Sequence, residues 1–179
     1  MVEVSIAEPG ELSAVQLDAA ERLVRAAFGS NFRSHDWLHA VDGVHVVLRD
    51  DSQSLVGFAS VAARVLRHNG IAFSTGYVEG VAVRSDQQGR GLGRIVMDCL
   101  EHIIRARHQL GALNAVATAA PFYASRDWQA WIGHTQADSP TGLIETYDPA
   151  DRIFLFTPHG GALNAATPLV CDWRAGDLW

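Results

Sequence analysis

YVEGVAVRSDQQGRGLG, residues 77–93, is the stretch that decides the fold of this chain. Its first seven residues alternate and are rich in β-branched side chains, which predicts a strand. Residues 92–105 place apolar side chains along one stripe with charged residues opposite, which predicts an amphipathic helix. The strand, the glycine turn and the helix N-terminus together predict an anion site. Glycines let backbone amides converge, and the first-turn N–H groups of a helix have no internal acceptor.

Two common phosphate-binding patterns do not fit this turn. The Walker pattern fails because Gly91 and Gly93 are not followed by Lys-Ser or Lys-Thr. The dinucleotide pattern fails because its third glycine falls on Arg94. Three arginines against one aspartate between residues 84 and 94 suit a pyrophosphate and a ribose phosphate. The alternative is an ordinary strand-to-helix turn, and the strand before it and the helix after it favour the anion site.

The order Gln88-x-x-Gly91-x-Gly93 resembles the pyrophosphate loop of the GNAT acetyltransferases. The resemblance implies acetyl-coenzyme A as the cofactor. A glycine at position 80, inside a β-branched strand, predicts a bulge or a close backbone approach there. We expect the backbone that follows to be offered to the pantetheine arm and the thioester oxygen. The expected cofactor-binding residues are Val81, Ala82, Val83, Gln88, Gly89, Arg90, Gly91, Leu92, Gly93 and Arg94.

Composition limits the other functions that the chain could have. Its 179 residues, 48% hydrophobic and 19% charged, predict one globular domain. Since no apolar run approaches the roughly 20 residues of a membrane helix and no basic-then-apolar signal opens the sequence, we expect a cytoplasmic protein that does not enter a membrane. The net charge of −6 argues against a nucleic-acid partner. Two cysteines indicate buried thiols rather than disulfides, and the oligomeric state stays open, a homodimer included.

The rest of the chain predicts an α/β (α+β) fold with a central mixed, mostly antiparallel sheet flanked by helices. Its order is similar to the GNAT fold along nearly the whole of residues 1–179, taken as one domain. The expected elements are a strand at 2–6, a helix at 12–28, a short helix before Gly43, strands at 45–49 and 55–66, a helix closed by 109–111, a strand at 112–118, a short helix and a turn at 121–128, strands at 131–133 and 153–157, and a loop at 136–151.

Two side chains could carry acetyl transfer to an amine. A carboxylate at Glu79, inside an apolar strand, is costly unless it is paired or used. It could act as a base, directly or through water, or anchor the substrate ammonium; a rim residue in a salt bridge is the alternative. The phenol of Tyr123, on the short helix, could protonate the leaving thiolate, although a half-buried core tyrosine would explain it as well.

A narrower resemblance sharpens these roles. Residues 77–83, 109–113 and 123–128, and above all the tail CDWRAGDLW at 171–179, are similar to the aminoglycoside 2′-N-acetyltransferases. The resemblance implies amine binding and base chemistry for Glu79, a general acid at Tyr123, and an aminoglycoside antibiotic as the substrate, whose acetylation confers resistance. The substrate-binding residues that it implies are Asn31, Asp36, Glu79, Gly80, Asn114, Asp148, Asp177 and Trp179.

Two departures from that family bear on the substrate. Asn31 stands where the family's loop usually has Asp, and Asn114 stands at a small, serine-type position. Arg33 and His35 add positive charge near Asp36. Loss of an acid and gain of a base suit a substrate with fewer ammonium groups or with a carboxylate. These substitutions favour kasugamycin as the substrate over drugs of the gentamicin or tobramycin type.

Three other readings stay open at this point. Another GNAT enzyme, acting on a small amine or a peptide amine, would share the coenzyme loop. A coenzyme A-binding sensor without turnover would need neither Glu79 nor Tyr123. A zinc hydrolase would use His35 and His39, but the order His-Glu-x-x-His is not met and no metal is expected.

Overall fold

The computed structural model describes residues 1–179 apart from the side chain of Asn31, so the substrate role predicted for Asn31 lies outside the described residues. The chain forms two compact units. The first unit comprises Met1–Ala62 and Val78–Ile103, and the second comprises Ala63–Tyr77 and Ile104–Trp179.

The helices are α1 (Ala14–Phe28), α2 (Ser34–Val41), α3 (Leu92–Arg107) and α4 (Ala120–Ala124). The strands are β1 (Val2–Ala7), β2 (Val44–Asp50), β3 (Leu55–His68), β4 (Ile71–Val83), β5 (Leu110–Asn114), β6 (Gln129–Ala130), β7 (Thr135–Ser139), β8 (Gly142–Glu145), β9 (Ile153–Phe156) and β10 (Leu169–Asp172). Among the described residues, the helices all fall short of the length and apolar character that a membrane crossing requires.

In the first unit, β1, β2 and β3 pair antiparallel, and Val47 lies opposite Phe58. Helix α1 covers this sheet with Ala20 and Val24, which join Val47, Phe58 and Ala82 in one buried cluster. Ser13 caps α1 by accepting from the Gln16 amide, so the helix begins at Ala14 rather than at residue 12. Gly29, with φ 63°, ends it as predicted. The predicted hairpin of β2 and β3 is confirmed.

The C-terminal end of α2 is fixed to this sheet through the carbonyl of Ala40. The Ser60 hydroxyl donates to that oxygen at 2.6 Å, and Nε2 of the buried His45 lies 3.2 Å from it. Burial lowers the pKa of His45 below its usual 6.5. Gly43 permits the approach, because a Cβ there would lie 2.1 Å from Oγ of Ser60.

In the second unit, β5 pairs parallel with the start of β4 and antiparallel with β9, which in turn pairs antiparallel with β6. Strand β10 pairs antiparallel with the end of β3 and parallel with β7, and β8 completes an antiparallel hairpin with β7. The buried side chains of this unit include Trp128, whose ring stacks on Phe156 at 5.3 Å. The predicted fold class, a mixed and mostly antiparallel sheet flanked by helices, is confirmed.

Some predicted boundaries are wrong. The strand placed at 112–118 is β5 and already includes residues 110 and 111, which were expected to close the preceding helix. The strand placed at 131–133 is β6, two residues earlier. The loop predicted at 136–151 contains most of β7 and the whole of β8. In β7 the buried Thr135 and Ala137 alternate with the partly buried Gln136 and the exposed Asp138. An acid-rich composition concealed this alternation.

Candidate active site

In the first unit, β4 changes its geometry at Gly80. This glycine has φ 62°, a left-handed conformation that favours glycine over other residues. A Cβ there would meet Val24 at 3.5 Å, an ordinary contact, so the requirement is conformational rather than steric. The positive φ falls between Glu79, which is partly buried, and Val81, and the bulge or close approach predicted there stays a prediction.

The glycine-rich turn that follows is closed by hydrogen bonds at both ends. Nε2 of Gln88 donates to the Val83 carbonyl at 3.2 Å, which folds the turn back onto β4. At the other end, the Arg94 amide donates to the Gly91 carbonyl at 3.0 Å as α3 begins. Gly89 and Gly91 have φ 74° and 81°, and a Cβ on either would meet nothing within 4 Å. The turn therefore presents an open backbone surface of the kind that fits a phosphate.

The arginines of this turn have different partners. Nε of Arg84 donates to Asp86 at 2.6 Å and its Nη2 donates to Asp50 at 3.4 Å, and the hydrogen bond from Arg84 lowers the pKa of Asp86. Arg84 therefore braces the start of the turn. Arg90 and Arg94 are exposed, and Arg90 also bonds to Gln87. These two arginines therefore keep their side chains at the surface of the turn, where the sequence predicts phosphate contacts.

Other residues predicted to hold the cofactor face the core. Ala82 packs in the buried cluster of the first unit, and Leu92 is buried at the start of α3. Val81, Val83 and Gly93 are partly buried. Because the side chains of Ala82 and Leu92 are buried, only their backbone atoms can contact a ligand.

Also in the first unit, Asp36 lies in the first turn of α2. Its Oδ2 accepts from the Arg33 amide at 2.7 Å, which caps the helix, and Nε2 of His35 lies 3.2 Å from its Oδ1. A protonated His35 would partly neutralise this carboxylate. Asp36 thus has a structural role as the cap of α2, and its substrate role stays a prediction.

In the second unit, Tyr123 lies on α4 among aromatic rings. Its ring centroid is 5.3 Å from that of Phe122 and 5.9 Å from that of Phe154. Burial raises the pKa of Tyr123 to about 12. The phenol is therefore neutral at working pH and keeps its proton.

The second unit also places two carboxylates, those of Asp148 and Asp177, near the partly buried Asp151. Burial raises the pKa of Asp151, and the negative charges of Asp148 and Asp177 raise it further. Nδ2 of Asn114, at the end of β5, donates to Oδ1 of Asp151 at 2.7 Å. The Asp148 carboxylate accepts from the Ala150 amide at 2.7 Å. We call these residues, Asn114, Asp148, Asp151 and Asp177, the acid site.

The C-terminal tail is packed beside this region. Trp179 is 7% exposed and lies in the core cluster of the second unit, and its Nε1 donates to the Thr146 hydroxyl at 2.8 Å. The structure therefore brings together four residues predicted from sequence: Asn114, Asp148, Asp177 and Trp179. Asp151 was missed as a site residue, although its place just before the buried strand β9 is a signal that could have found it.

Comparison with known proteins gives a consistent result. Residues 13–128 match the Acetyltransferase (GNAT) family. An aminoglycoside 2′-N-acetyltransferase from Mycolicibacterium fortuitum is 39% identical over 165 residues, which is 90% of this chain and 84% of that protein.

Solved structures share the fold at low identity. ElaA from Escherichia coli has a TM-score of 0.63 at 18% identity and covers 87% of this chain and 99% of its own. An acyl-CoA N-acyltransferase from Pseudomonas aeruginosa has a TM-score of 0.63 at 17% identity, with the same coverage.

Proposed function

Because this chain belongs to the GNAT acetyltransferase family and is an N-acetyltransferase that uses acetyl-coenzyme A, we propose that it acetylates the 2′-amine of an aminoglycoside antibiotic. The relative from Mycolicibacterium fortuitum is named for that reaction. The proposed consequence for the host is antibiotic resistance.

The acid site is the observation that carries this proposal. An aminoglycoside is a polycation at neutral pH, so its recognition needs several carboxylates in one place. Burial raises the pKa of Asp151, and Asp148 and Asp177 are close enough to raise it further through their charges. A bound ammonium group would offset that repulsion, so the site favours a cationic ligand.

The glycine-rich turn is proposed to hold the donor. When bound, acetyl-coenzyme A supplies the activated acetyl group as a thioester. The open amides of the turn, with Arg90 and Arg94 beside them, suit its pyrophosphate, and Gln88 keeps the turn on β4. The backbone of Val81 and Val83, just after the irregularity at Gly80, is assigned to the pantetheine arm and the thioester oxygen.

Glu79 is assigned as the base. The attacking nitrogen must lose a proton before or during acyl transfer, and a partly buried carboxylate can take it directly or through water. The same negative charge would attract the substrate ammonium. Glu79→Gln should therefore lower kcat and raise the KM for the amine.

Tyr123 is assigned as the group that assists the departing thiolate. A phenol of pKa about 12 gives its proton to a thiolate of pKa about 8.5 only at a cost of about 5 kcal/mol. The Tyr123 O–H therefore stabilises the sulfur mainly as a hydrogen-bond donor. Its high pKa keeps that hydrogen in place over the whole physiological range.

Within the aminoglycosides, we propose kasugamycin as the preferred substrate. Asn114 replaces a small side chain and engages one oxygen of Asp151, which leaves less free acceptor capacity in the acid site. His35 beside Asp36 weakens a second carboxylate when it is protonated. Both features suit a drug with fewer ammonium groups and a carboxylate.

The test is a thiol-release assay with acetyl-coenzyme A and a panel of amines. The panel comprises kasugamycin, tobramycin, gentamicin, spermidine and a peptide with a free N-terminus. The proposal predicts kcat/KM at least about tenfold higher for one aminoglycoside than for spermidine or the peptide. A preference for the peptide or spermidine would replace the aminoglycoside with another amine, and faster turnover of tobramycin than of kasugamycin would remove the kasugamycin preference alone.

A further inference from the structure

Arg64, on β3 in the second unit, is a buried arginine with no part in the chemistry described above. Its side chain is 4% exposed. Each of its three nitrogens donates into the C-terminal tail. Nε donates to Oδ1 of Asp172 at 2.9 Å, Nη2 to the Asp172 carbonyl at 2.8 Å, and Nη1 to the Leu178 carbonyl at 2.6 Å.

A second arginine holds the neighbouring residue of the tail. Nε of Arg174 donates to the Asp177 carbonyl at 2.6 Å. Both guanidinium groups lie over the ring of Tyr77, with Cζ of Arg64 4.9 Å and Cζ of Arg174 5.1 Å from its centroid. We call Arg64, Tyr77, Asp172 and Arg174 the tail clamp.

The tail clamp fixes two successive carbonyls, those of Asp177 and Leu178. With these two peptide units held, the directions of the Asp177 side chain and of the final residue are set. Trp179 is held in turn by its bond to Thr146. The Asp177 charge acts on Asp151, so the position of the tail decides how many carboxylates the acid site contains.

We propose that Arg64 is a positioning residue for the amine substrate, which it serves by holding the C-terminal tail in the acid site. The proposal rests on the proposed function, since it assumes that the acid site binds the amine. Arg64 acts through the tail and makes no direct contact with the reacting atoms.

The chemistry of the side chain supports this role. Burying a guanidinium carries a desolvation cost, and well-packed apolar residues often replace buried ion pairs without loss of stability. Arginine is the side chain whose planar fork can donate in three fixed directions at once. A lysine keeps the positive charge but has one nitrogen in place of the three that donate to Asp172 and Leu178. Arg64→Lys therefore removes the directed hydrogen bonds and leaves the charge.

The experiment compares the wild type with Arg64→Lys and with the control Arg67→Lys. Arg67 lies on the same strand and pairs with Asp138 at 2.9 Å, outside the tail. Two readouts are measured. Release of Trp179 by carboxypeptidase, followed by mass spectrometry, reports the anchoring of the tail without any substrate. Steady-state kinetics report kcat and the KM for the aminoglycoside and for acetyl-coenzyme A separately.

We expect Arg64→Lys to speed Trp179 release and to raise the aminoglycoside KM about tenfold. The KM of Arg64→Lys for acetyl-coenzyme A should stay within about twofold of the wild type. In the control Arg67→Lys, the rate of Trp179 release and the kinetic constants should all stay within about twofold of the wild type. Arg174→Lys, a partly buried site less critical for folding, should shift both readouts in the same direction by a smaller factor. It serves as the second variant if Arg64→Lys fails to fold.

A further comparison removes residues 178–179. If Arg64 acts through the tail, Arg64→Lys raises the KM of the shortened enzyme by a smaller factor than the KM of the full chain, because the bond to Leu178 is already lost and only the bonds to Asp172 remain. Fully additive effects would overturn the proposal. Unchanged Trp179 release would overturn it, as would faster release with an unchanged aminoglycoside KM. A wild type that acetylates no aminoglycoside would overturn the proposed function instead, and the carboxypeptidase rates would then decide the anchoring by themselves.

Discussion

Asn114 holds the carboxylate of Asp151. Its Nδ2 donates to Oδ1 of Asp151 at 2.7 Å, and its own Oδ1 accepts from the Arg152 amide at 2.9 Å. One amide at the end of β5 thus orients an acid that folding has made harder to ionise. A carboxylate whose ionised form is disfavoured in the folded protein does not stabilise the fold through its charge, so we infer that Asp151 serves ligand binding.

Asp151→Asn should therefore weaken substrate binding without weakening the fold. Its raised pKa means that the ionised form is disfavoured in the native state, so removing the charge should leave the Tm at pH 7 equal or higher. The aminoglycoside KM should rise about tenfold through loss of a charge-assisted bond. Thermal melting and steady-state kinetics check the two effects.

The control for that change is Glu145→Gln. Glu145 is an exposed acid of β8 that bonds to Gln136, so its loss changes the net charge equally without touching the acid site. Its KM should match the wild type. A lower Tm together with an unchanged KM in Asp151→Asn would make Asp151 a structural residue.

Gly91→Ala should weaken binding of acetyl-coenzyme A. Gly91 has φ 81°, a conformation that costs other residues about 1–2 kcal/mol. The open space around it means that the damage comes from the backbone and from the methyl group facing the ligand. The Kd measured by calorimetry should rise about tenfold or more.

Gly10→Ala is the matched control for Gly91→Ala. Gly10 has φ 85°, and a Cβ there also meets nothing within 4 Å, but it lies in the turn after β1. Both variants should lose a similar amount of folding free energy, and only Gly91→Ala should bind acetyl-coenzyme A more weakly. Equal affinity in the two variants would remove the glycine-rich turn from the cofactor site.

Tyr123→Phe should lower kcat about a hundredfold and leave both KM values within about twofold. Because the pKa of Tyr123 is about 12, its deprotonation cannot produce a basic limb in the pH profile of the wild type below about pH 10. Tyr147→Phe, at an exposed tyrosine, is the control. A kcat equal to that of the wild type would assign Tyr123 to the aromatic core alone.

His45 should make the stability of the protein depend on pH below neutrality. Burial lowers its folded-state pKa below 6.5, so the unfolded chain binds the proton more readily. Stability is then full above pH 6.5 and falls as the pH drops towards the folded pKa. His45→Gln, which can still donate to Ala40, should show a shallower fall in urea-unfolding free energy between about pH 7 and pH 5. Parallel curves for the two proteins would contradict this account.

Local periodicity was enough to predict the part of the fold around the glycine-rich turn. The strand at 77–83 and the helix after it have strong patterns, and Gly29 and Gly43 mark helix ends that the structure retains. The acid-rich stretch at 136–151 was misassigned as a loop. The residues of β8 are all exposed, and β8 is the edge strand beside β7, so its composition reflects solvent exposure rather than strand pairing.

The candidate site was predictable in part for a similar reason. Asp148, Asp177 and Trp179 could be named from the sequence, whereas Asp151 depends on a contact with Asn114, which lies 37 positions away in the chain. The different partners of the arginines could not be predicted from the sequence either. Arg84 is committed to two carboxylates, and Arg64 to a tail more than a hundred positions later. Such pairings are set by topology and not by local pattern.

The most direct test of the central claim is to identify the product of one reaction. The wild type is incubated with acetyl-coenzyme A and either kasugamycin or tobramycin, and the product is analysed by mass spectrometry and NMR. We predict a single added acetyl group on the 2′-amine of the drug. No acetylated drug, in a preparation that binds acetyl-coenzyme A by calorimetry, would contradict the account.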